Sequence, residues 1–176
     1  MQRVRVYEPR DRERVRHICL ETAGESFKKD PERLYALYCD YYIEREPEHC
    51  FVLTNDKDEA VGYVISAFDY ERYYRDFKRY YMPKLSFGAA LERRAEHLLT
   101  RRLTRQYPAH LHIDILPDCC GSGGGRALIR ALTDALKKEN VSGLMLITDP
   151  SNTRARRFFS ACGFKNERDA VYVMSL

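Results

Sequence analysis

One arrangement limits what this chain can fold into: an alternating strand that meets a proline, opens into a glycine-rich turn and closes into a helix. It lies within residues 110–164. From His110 to Leu116 the side chains split by parity. Leu111, Ile113 and Ile115 share one face, and His110, His112 and Asp114 share the other. Pro117 has no N–H to give a ladder, so pairing with the next strand is expected to fail there. Gly121-Ser122-Gly123-Gly124-Gly125-Arg126 follows. Residues 126–139 then read as an amphipathic helix with Leu128, Leu132, Ala135 and Leu136 as its buried stripe. Lys137 and Lys138 suit its negative end, and Asn140 suits a left-handed cap. Residues 143–148 are a continuous apolar strand of the kind buried on both faces. Pro150-Ser151-Asn152 caps a last helix that ends at Gly163. A glycine turn at a helix start gathers unpaired N–H groups at the positive helix end, which makes an anion site. The expected ligand carries phosphate.

The rest of the chain supplies strands and helices around this unit. Residues 3–7 alternate as a half-buried strand. A helix begins near Pro9 and Asp11, shows Val15, Ile18, Cys19 and Thr22 on one side, and stops at Gly24. Asp30 and Pro31 start a second helix whose aromatic side runs from Leu34 to Tyr42. Residues 50–54 and 60–68 form a hairpin around the turn Asn55-Asp56-Lys57-Asp58, with Gly62 marking a bulge or a close backbone approach. Residues 170–176 close the chain as a strand, whose free edge would suit pairing across a homodimer. The expected fold is α/β: one domain over residues 1–176, with a mixed sheet of six to seven strands and flanking helices.

Between strands 3 and 4 lies a helical insertion, residues 69–107, broken at Met82-Pro83-Lys84 and again at Gly88. It holds Tyr70, Tyr73, Tyr74, Tyr80 and Tyr81, and ten Lys/Arg against five Asp/Glu. Such a stretch can stack on single-stranded RNA. Its aromatics also fall at helical spacing, which places them inward with the arginines toward water. It is a candidate lid over a substrate pocket.

Because 30 basic and 26 acidic residues leave only +4, global charge is too mild to argue by itself for nucleic acid, which is not an expected partner. The apolar runs are too short to span a membrane, and the N-terminus has no apolar signal core. Six cysteines include no CxxC pair, so neither a zinc site nor a disulfide framework is indicated. Reduced thiols in a cytoplasmic protein with no metal are the expectation.

Three kinds of βαβ unit hold phosphate, and spacing separates them. In a dinucleotide GxGxxG the third glycine falls here on Arg126 or Leu128. The P-loop needs a Gly-Lys-Ser/Thr that is absent. Ile115-Leu116-Pro117 followed by Cys120-Gly121-Ser122-Gly123-Gly124-Gly125 resembles the acyl-CoA turn of the Gcn5-related N-acetyltransferases (GNAT). Asn152, Ala155, Phe158, Phe159 and Gly163-Phe164 resemble that family's last helix. The order of elements matches along nearly the whole chain. More narrowly, His112-Ile113-Asp114-Ile115-Leu116-Pro117-Asp118-Cys119-Cys120, with Ile18-Cys19-Leu20 and Asp30-Pro31, looks like the acetyltransferase-like domain of O-GlcNAcases and its bacterial stand-alone relatives.

The resemblance implies acetyl-CoA as co-substrate and a small-molecule or peptide amine as acceptor. The N–H groups of Gly121, Ser122, Gly123, Gly124, Gly125 and Arg126 would hold the pyrophosphate, and a splayed strand would take the pantetheine arm. A backbone N–H at Ile115 or Leu116 would polarise the thioester. Asp114 is the first candidate base, with loop anchoring as its alternative role, and His112 is the second candidate. Cys120 stands where the family has Gln or Arg. Phe159, expected beside the cofactor with Asn152, stands where the family has a tyrosine acid, and phenylalanine cannot donate a proton. An acyltransferase using another acid such as Tyr172, and a module that only binds acetyl-CoA, both fit these residues.

Overall fold

The computed structural model describes residues 2–168 and 170–176. Among them, seven strands form one sheet in the order β1-β2-β3-β4-β5-β7-β6. The strands are β1 (Arg3–Val6), β2 (Phe51–Thr54), β3 (Ala60–Ala67), β4 (Ala109–Ile115), β5 (Gly143–Ile147), β6 (Lys165–Arg168) and β7 (Val171–Ser175). Every pairing is antiparallel except β4 with β5.

Alternation decides which side chain faces which layer. On one face Tyr63, Ile65, Met145, Val171 and Val173 pack against α1 (Arg12–Thr22), α3 (Pro31–Tyr38), α4 (Asp40–Arg45), α5 (Tyr70–Tyr80) and α6 (Phe87–Thr100). A short helical turn, α2 (Glu25–Lys28), joins α1 to α3. On the other face Leu53, Val64, Leu111, Leu144 and Leu146 pack against α7 (Gly124–Lys138) and α8 (Thr153–Ala161). Leu128, Leu132 and Leu136 of α7 are fully buried there. Each such side chain removes enough apolar surface to contribute about 1.5–3 kcal/mol.

Local signals account for most boundaries. Asp30 accepts from the Arg33 amide with Pro31 behind it, so α3 begins where the sequence places it. Asn140 takes φ +56° after α7, the expected left-handed stop. Gly62 is a close approach: a Cβ there would stand 2.7 Å from Ile115 on β4. The register also shifts at Leu53/Thr54 opposite it.

Four expectations change. The aromatic helix is two helices, broken at Cys39 (φ −131°, ψ −61°), which turns Tyr41 and Tyr42 into the core and sets buried Asp40 against Arg16 at 2.7 Å. Gly88 does not break the insertion. It sits in the first turn of α6, whose Ser86 cap accepts from Ala89, and only Met82–Lys84 interrupts the helices. The strand β6 went unread because its residues, Lys-Asn-Glu-Arg, are all exposed and carry no apolar alternation. Finally, the closing strand has no free edge for a dimer, since β7 pairs with β5 on one side and β6 on the other.

The insertion turns its tyrosines inward. Tyr70, Tyr73 and Tyr81 are buried, and Tyr80 is exposed beneath Arg45 and Arg79. That removes most of the aromatic surface an RNA platform needs.

Candidate active site

The sheet opens at its centre. β4 and β5 pair only at Ala109↔Leu144 and His110↔Met145, and beyond these residues the two strands part. On its other side β4 stays in register with β3 as far as Gly62↔Ile115, and the Leu116 amide donates to Val61 at 3.0 Å. Antiparallel ladders alternate in direction, so the amides that β4 turns away from β3 are those of Ile113 and Ile115. The wedge between β4 and β5 is therefore lined on one side by backbone groups without ladder partners. This sorts the two candidate thioester donors. The Ile115 amide faces the wedge, whereas the Leu116 amide is engaged by Val61 and is corrected to a structural role.

The glycine turn stands at the mouth of this wedge. Pro117–Cys119 form a short helical turn, Gly121 and Gly123 take φ of +90° and +89°, and α7 starts at Gly124. Only glycine adopts such angles without strain. No backbone N–H from Gly121 to Arg126 finds an acceptor among the described residues, whereas the Ala127 amide closes the first helical bond to Gly123. Six consecutive amides at a helix N-terminus are thus left without acceptors, four of them on exposed residues, a fit for a pyrophosphate. Gly124 is buried because a Cβ there would run into Leu53, and Gly125 lies under Phe158, with 3.0 Å to a Cβ. The Cys120 thiol turns back onto the Ile115 and Leu116 carbonyls at 3.7 and 3.5 Å, and so contributes no charged contact to the turn.

Asp114 stands on the opposite face of the same strand end. The register sets Tyr63 directly across from it, and the Tyr63 hydroxyl donates to the carboxylate at 2.6 Å. Burial pushes the Asp114 carboxyl up from 3.8 to about 6, against the opposing effect of the Tyr63 hydrogen bond and the nearby Thr22 hydroxyl. A carboxylate in that range is matched to taking a proton near neutral pH. His112 is not. Burial, reinforced by the Arg93 guanidinium, pushes its imidazole down to about 3. Its ring meets the edges of Tyr38 and Tyr42 at 5.5 and 5.3 Å, and its Nε2 has no partner. His110 lies deeper, hydrogen-bonded to the Tyr42 hydroxyl at 2.8 Å, and burial holds it neutral too. Arg93 is buried beneath this group, paired with Glu96 at 2.7 Å and donating to the Leu37 carbonyl.

The last helix is positioned by Asn152, whose side chain accepts from the Ala155 amide at 3.0 Å. Phe159 is placed elsewhere than expected. It is buried in the core against Phe164 and Tyr172, with ring centroids 5.6 and 6.1 Å away. Phe158, not Phe159, stands against Gly125 of the turn. Tyr172 points into that same core, and its hydroxyl accepts from Arg156 at 3.0 Å. Among the described residues, no group of three or more His, Cys, Asp or Glu side chains is placed to hold a metal ion.

Three residues of the site were not legible. Tyr63 lies in an apolar run, and only the β3–β4 register brings it to Asp114. Thr22 reads as the end of a helix stripe. Gln2 donates to the Cys119 carbonyl at 3.1 Å and accepts from the Ser122 hydroxyl, so it clips the turn from outside. The nearest usable signal was the reading of residues 60–68 as a strand, which fixes that Tyr63 shares a face with Ile65 but not what lies across from it.

The profile of the acetyltransferase (GNAT) family matches residues 12–164. The fold is similar to a solved structure named SsHAT, at 33% identity over 99% of this chain and 98% of that one, with a TM-score of 0.85. It is also similar, in fold alone, to a chain of the NatC complex bound to Gag peptide and CoA (12% identity, 99% and 98% covered, TM-score 0.67). A third likeness is the PaiA N-acetyltransferase of Thermoplasma acidophilum in complex with coenzyme A (12%, 99% and 98%, 0.62). The amide-lined turn, the parted central strands and the family profile lead to one conclusion: this chain belongs to the acetyltransferase (GNAT) family.

Proposed function

We propose that the chain moves an acetyl group from acetyl-CoA directly to a primary amine, with Asp114 as the base. The observation that carries this reading is the alignment of three features along one strand end. The amides of residues 121–126 fit the pyrophosphate, the Ile113 and Ile115 backbone groups face the wedge, and an Asp114 carboxyl raised to about 6 lies on the adjoining face. Coenzyme A in the PaiA neighbour and the NatC neighbour supports the choice of co-substrate.

The pantetheine arm would run beside β4 as an added strand, its amides meeting those of Ile113 and Ile115. Asp114 accepts a proton from the incoming ammonium, directly or through one water. The freed nitrogen attacks the thioester carbonyl carbon, and the negative charge growing on the carbonyl oxygen meets the Ile115 N–H. The carbon–sulfur bond then breaks and coenzyme A leaves as thiolate. Neither Phe159, buried in the core, nor Tyr172, held by Arg156, supplies its proton; the second proton of the attacking nitrogen, released as the amide forms, passes through water to the thiolate.

That same absence of a tyrosine acid favours a second reading, a module that binds acetyl-CoA without turnover. Calorimetric titration with acetyl-CoA, followed by a screen of amine acceptors, decides between them. Binding with turnover supports the transferase. Binding without turnover of any amine supports the module, and no binding at millimolar acetyl-CoA refutes both. The six cysteines are all free thiols, which supports a reducing compartment such as the cytoplasm. No helix among the described residues is long and apolar enough to cross a membrane.

A further inference from the structure

Beyond the wedge, on the face that carries Asp114, lies a groove that the acetyl transfer does not use. Its floor is set by the sheet. Ile147 of β5 pairs with Val171 of β7, and Val171 pairs with Arg168 of β6, so the three side chains form a row across the strands. Val171 belongs to the same buried cluster as Tyr63, which places the row on the Asp114 face. The far wall is the C-terminal end of α6 and the turn after it. Together Leu98, Leu99, Arg101, Arg102, Arg168 and Val171 line a groove of about 190 Å³.

Two properties of this lining bear on what it could hold. First, it exposes apolar groups: Leu98 is 60% exposed and Leu99 51%, and Ile147, at the end of the row beside the lining, is 39% exposed. Second, its cations are uncommitted. Arg5, Arg10, Arg12 and Arg16 at the other end of the molecule hold a carboxylate within 4.0 Å, whereas several surface arginines do not. Arg101, Arg102 and Arg168 hold none among the described residues, although Glu167 stands in the same lining. Exposed guanidiniums over an apolar floor match a chain that alternates carboxylates with apolar side chains.

We infer that this groove binds an acidic peptide segment belonging to the acceptor, so that the amine is presented to Asp114 while carboxylates further along pair with Arg101, Arg102 and Arg168. The inference rests on the transferase reading of the wedge. It adds the acceptor's class: a peptide whose amine is followed by acidic and apolar residues. The side chains of Leu98, Leu99 and Ile147 take the apolar positions, and the arginines take the acidic ones.

The test uses the full chain and three synthetic peptides of equal length with a free N-terminal amine: one acidic, one neutral and one basic. Fluorescence anisotropy reads their binding with and without saturating coenzyme A, and calorimetry reads acetyl-CoA binding separately. The acidic peptide should bind on the order of tenfold tighter than the neutral one, since a few exposed ion pairs are each worth a few-fold. The preference should weaken as salt rises. Arg101→Glu with Arg168→Glu should reverse the preference toward the basic peptide and leave acetyl-CoA affinity unchanged. The single exposed substitutions Arg102→Gln and Arg168→Gln, checked by thermal midpoint, give the same direction with a smaller effect. Equal affinity for acidic and neutral peptides overturns the inference. So does single-stranded RNA that displaces the acidic peptide and binds more tightly, because the patch is then a nucleic-acid interface. Failure of acetyl-CoA binding shows up in the calorimetry alone, so a wrong transferase reading and a wrong groove assignment give different results.

Discussion

Replacing Asp114 by Asn separates a base from an anchor. The substitution keeps the shape and leaves an oxygen for the Tyr63 hydroxyl, which donates to it at 2.6 Å. It removes only the ionisation. Burial raises this carboxyl from 3.8 to about 6. At about 1.36 kcal/mol per pH unit, that costs the folded state roughly 3 kcal/mol once the group is ionised. The sign follows from proton binding. Between pH 3.8 and about 6 the folded chain holds a proton that the unfolded chain has released, so this contribution to stability falls as pH rises. The asparagine variant lacks the fall. Its thermal midpoint relative to wild type should therefore climb from pH 4 to pH 7, by roughly 6–12 °C at about 2–4 °C per kcal/mol. Buried His112 and His110 work in the opposite direction, since their lowered values remove stability as pH drops below the ordinary histidine range. Both variants share them, so the difference between the two curves isolates Asp114. In the acetyl-transfer assay, wild-type kcat/KM should rise through a limb near pH 6, and the variant should lose about 10²–10⁴-fold and the limb with it. A variant that keeps activity within twofold and retains the same limb refutes the role of base. A midpoint difference that stays flat with pH refutes the buried, raised carboxyl itself.

Tyr63→Phe deletes a hydrogen bond that holds Asp114 down, so the pH–rate limb should move to higher pH. An unmoved limb would show that the Tyr63 hydroxyl does not tune the carboxylate. Gly123→Ala meets no neighbouring atom but forces a Cβ into φ +89°. It should cost about 1 kcal/mol of stability and weaken acetyl-CoA binding in calorimetry without changing the acceptor KM. Leu128→Ala, at a fully buried site under the sheet, should cost roughly 2–5 kcal/mol by denaturant titration while leaving the pH limb in place.

How far the sequence reaches depends on whether a feature is local. The glycine turn, the α7 stripe, Asp30, Asn140 and Asn152 act within a few residues of themselves, and each stands where the spacing puts it. The parity of β4 was equally legible, because alternation alone sends Ile115 and Asp114 to opposite faces. What failed depends on contacts between distant segments. The Tyr63–Asp114 pair needs the register of two strands 51 residues apart. Phe159 went to the core because α8 turns Phe158 toward Gly125, and a rotation of one residue along a helix is not visible in a motif. The split at Cys39 answers to tertiary packing of Tyr41 and Tyr42, which overrides a helical pattern that runs straight through it. β6 has no apolar signal at all and exists because β7 offers it a ladder.

The parting of β4 from β5 has a consequence for what can reach this strand edge. An unpaired strand edge is ordinarily an invitation to any extended chain, and proteins blunt such edges with charge, proline or a covering loop. Here the edge is interior. It begins only after Ala109 and His110 have been paired to β5, and it faces that neighbouring strand across the gap rather than open solvent. A second protein's strand, with side chains on both faces, would have to enter between two layers of helices. A slim, side-chain-free arm would not. Access itself therefore filters what can borrow the backbone of β4, and the edge remains chemically open with no guard residue placed on it.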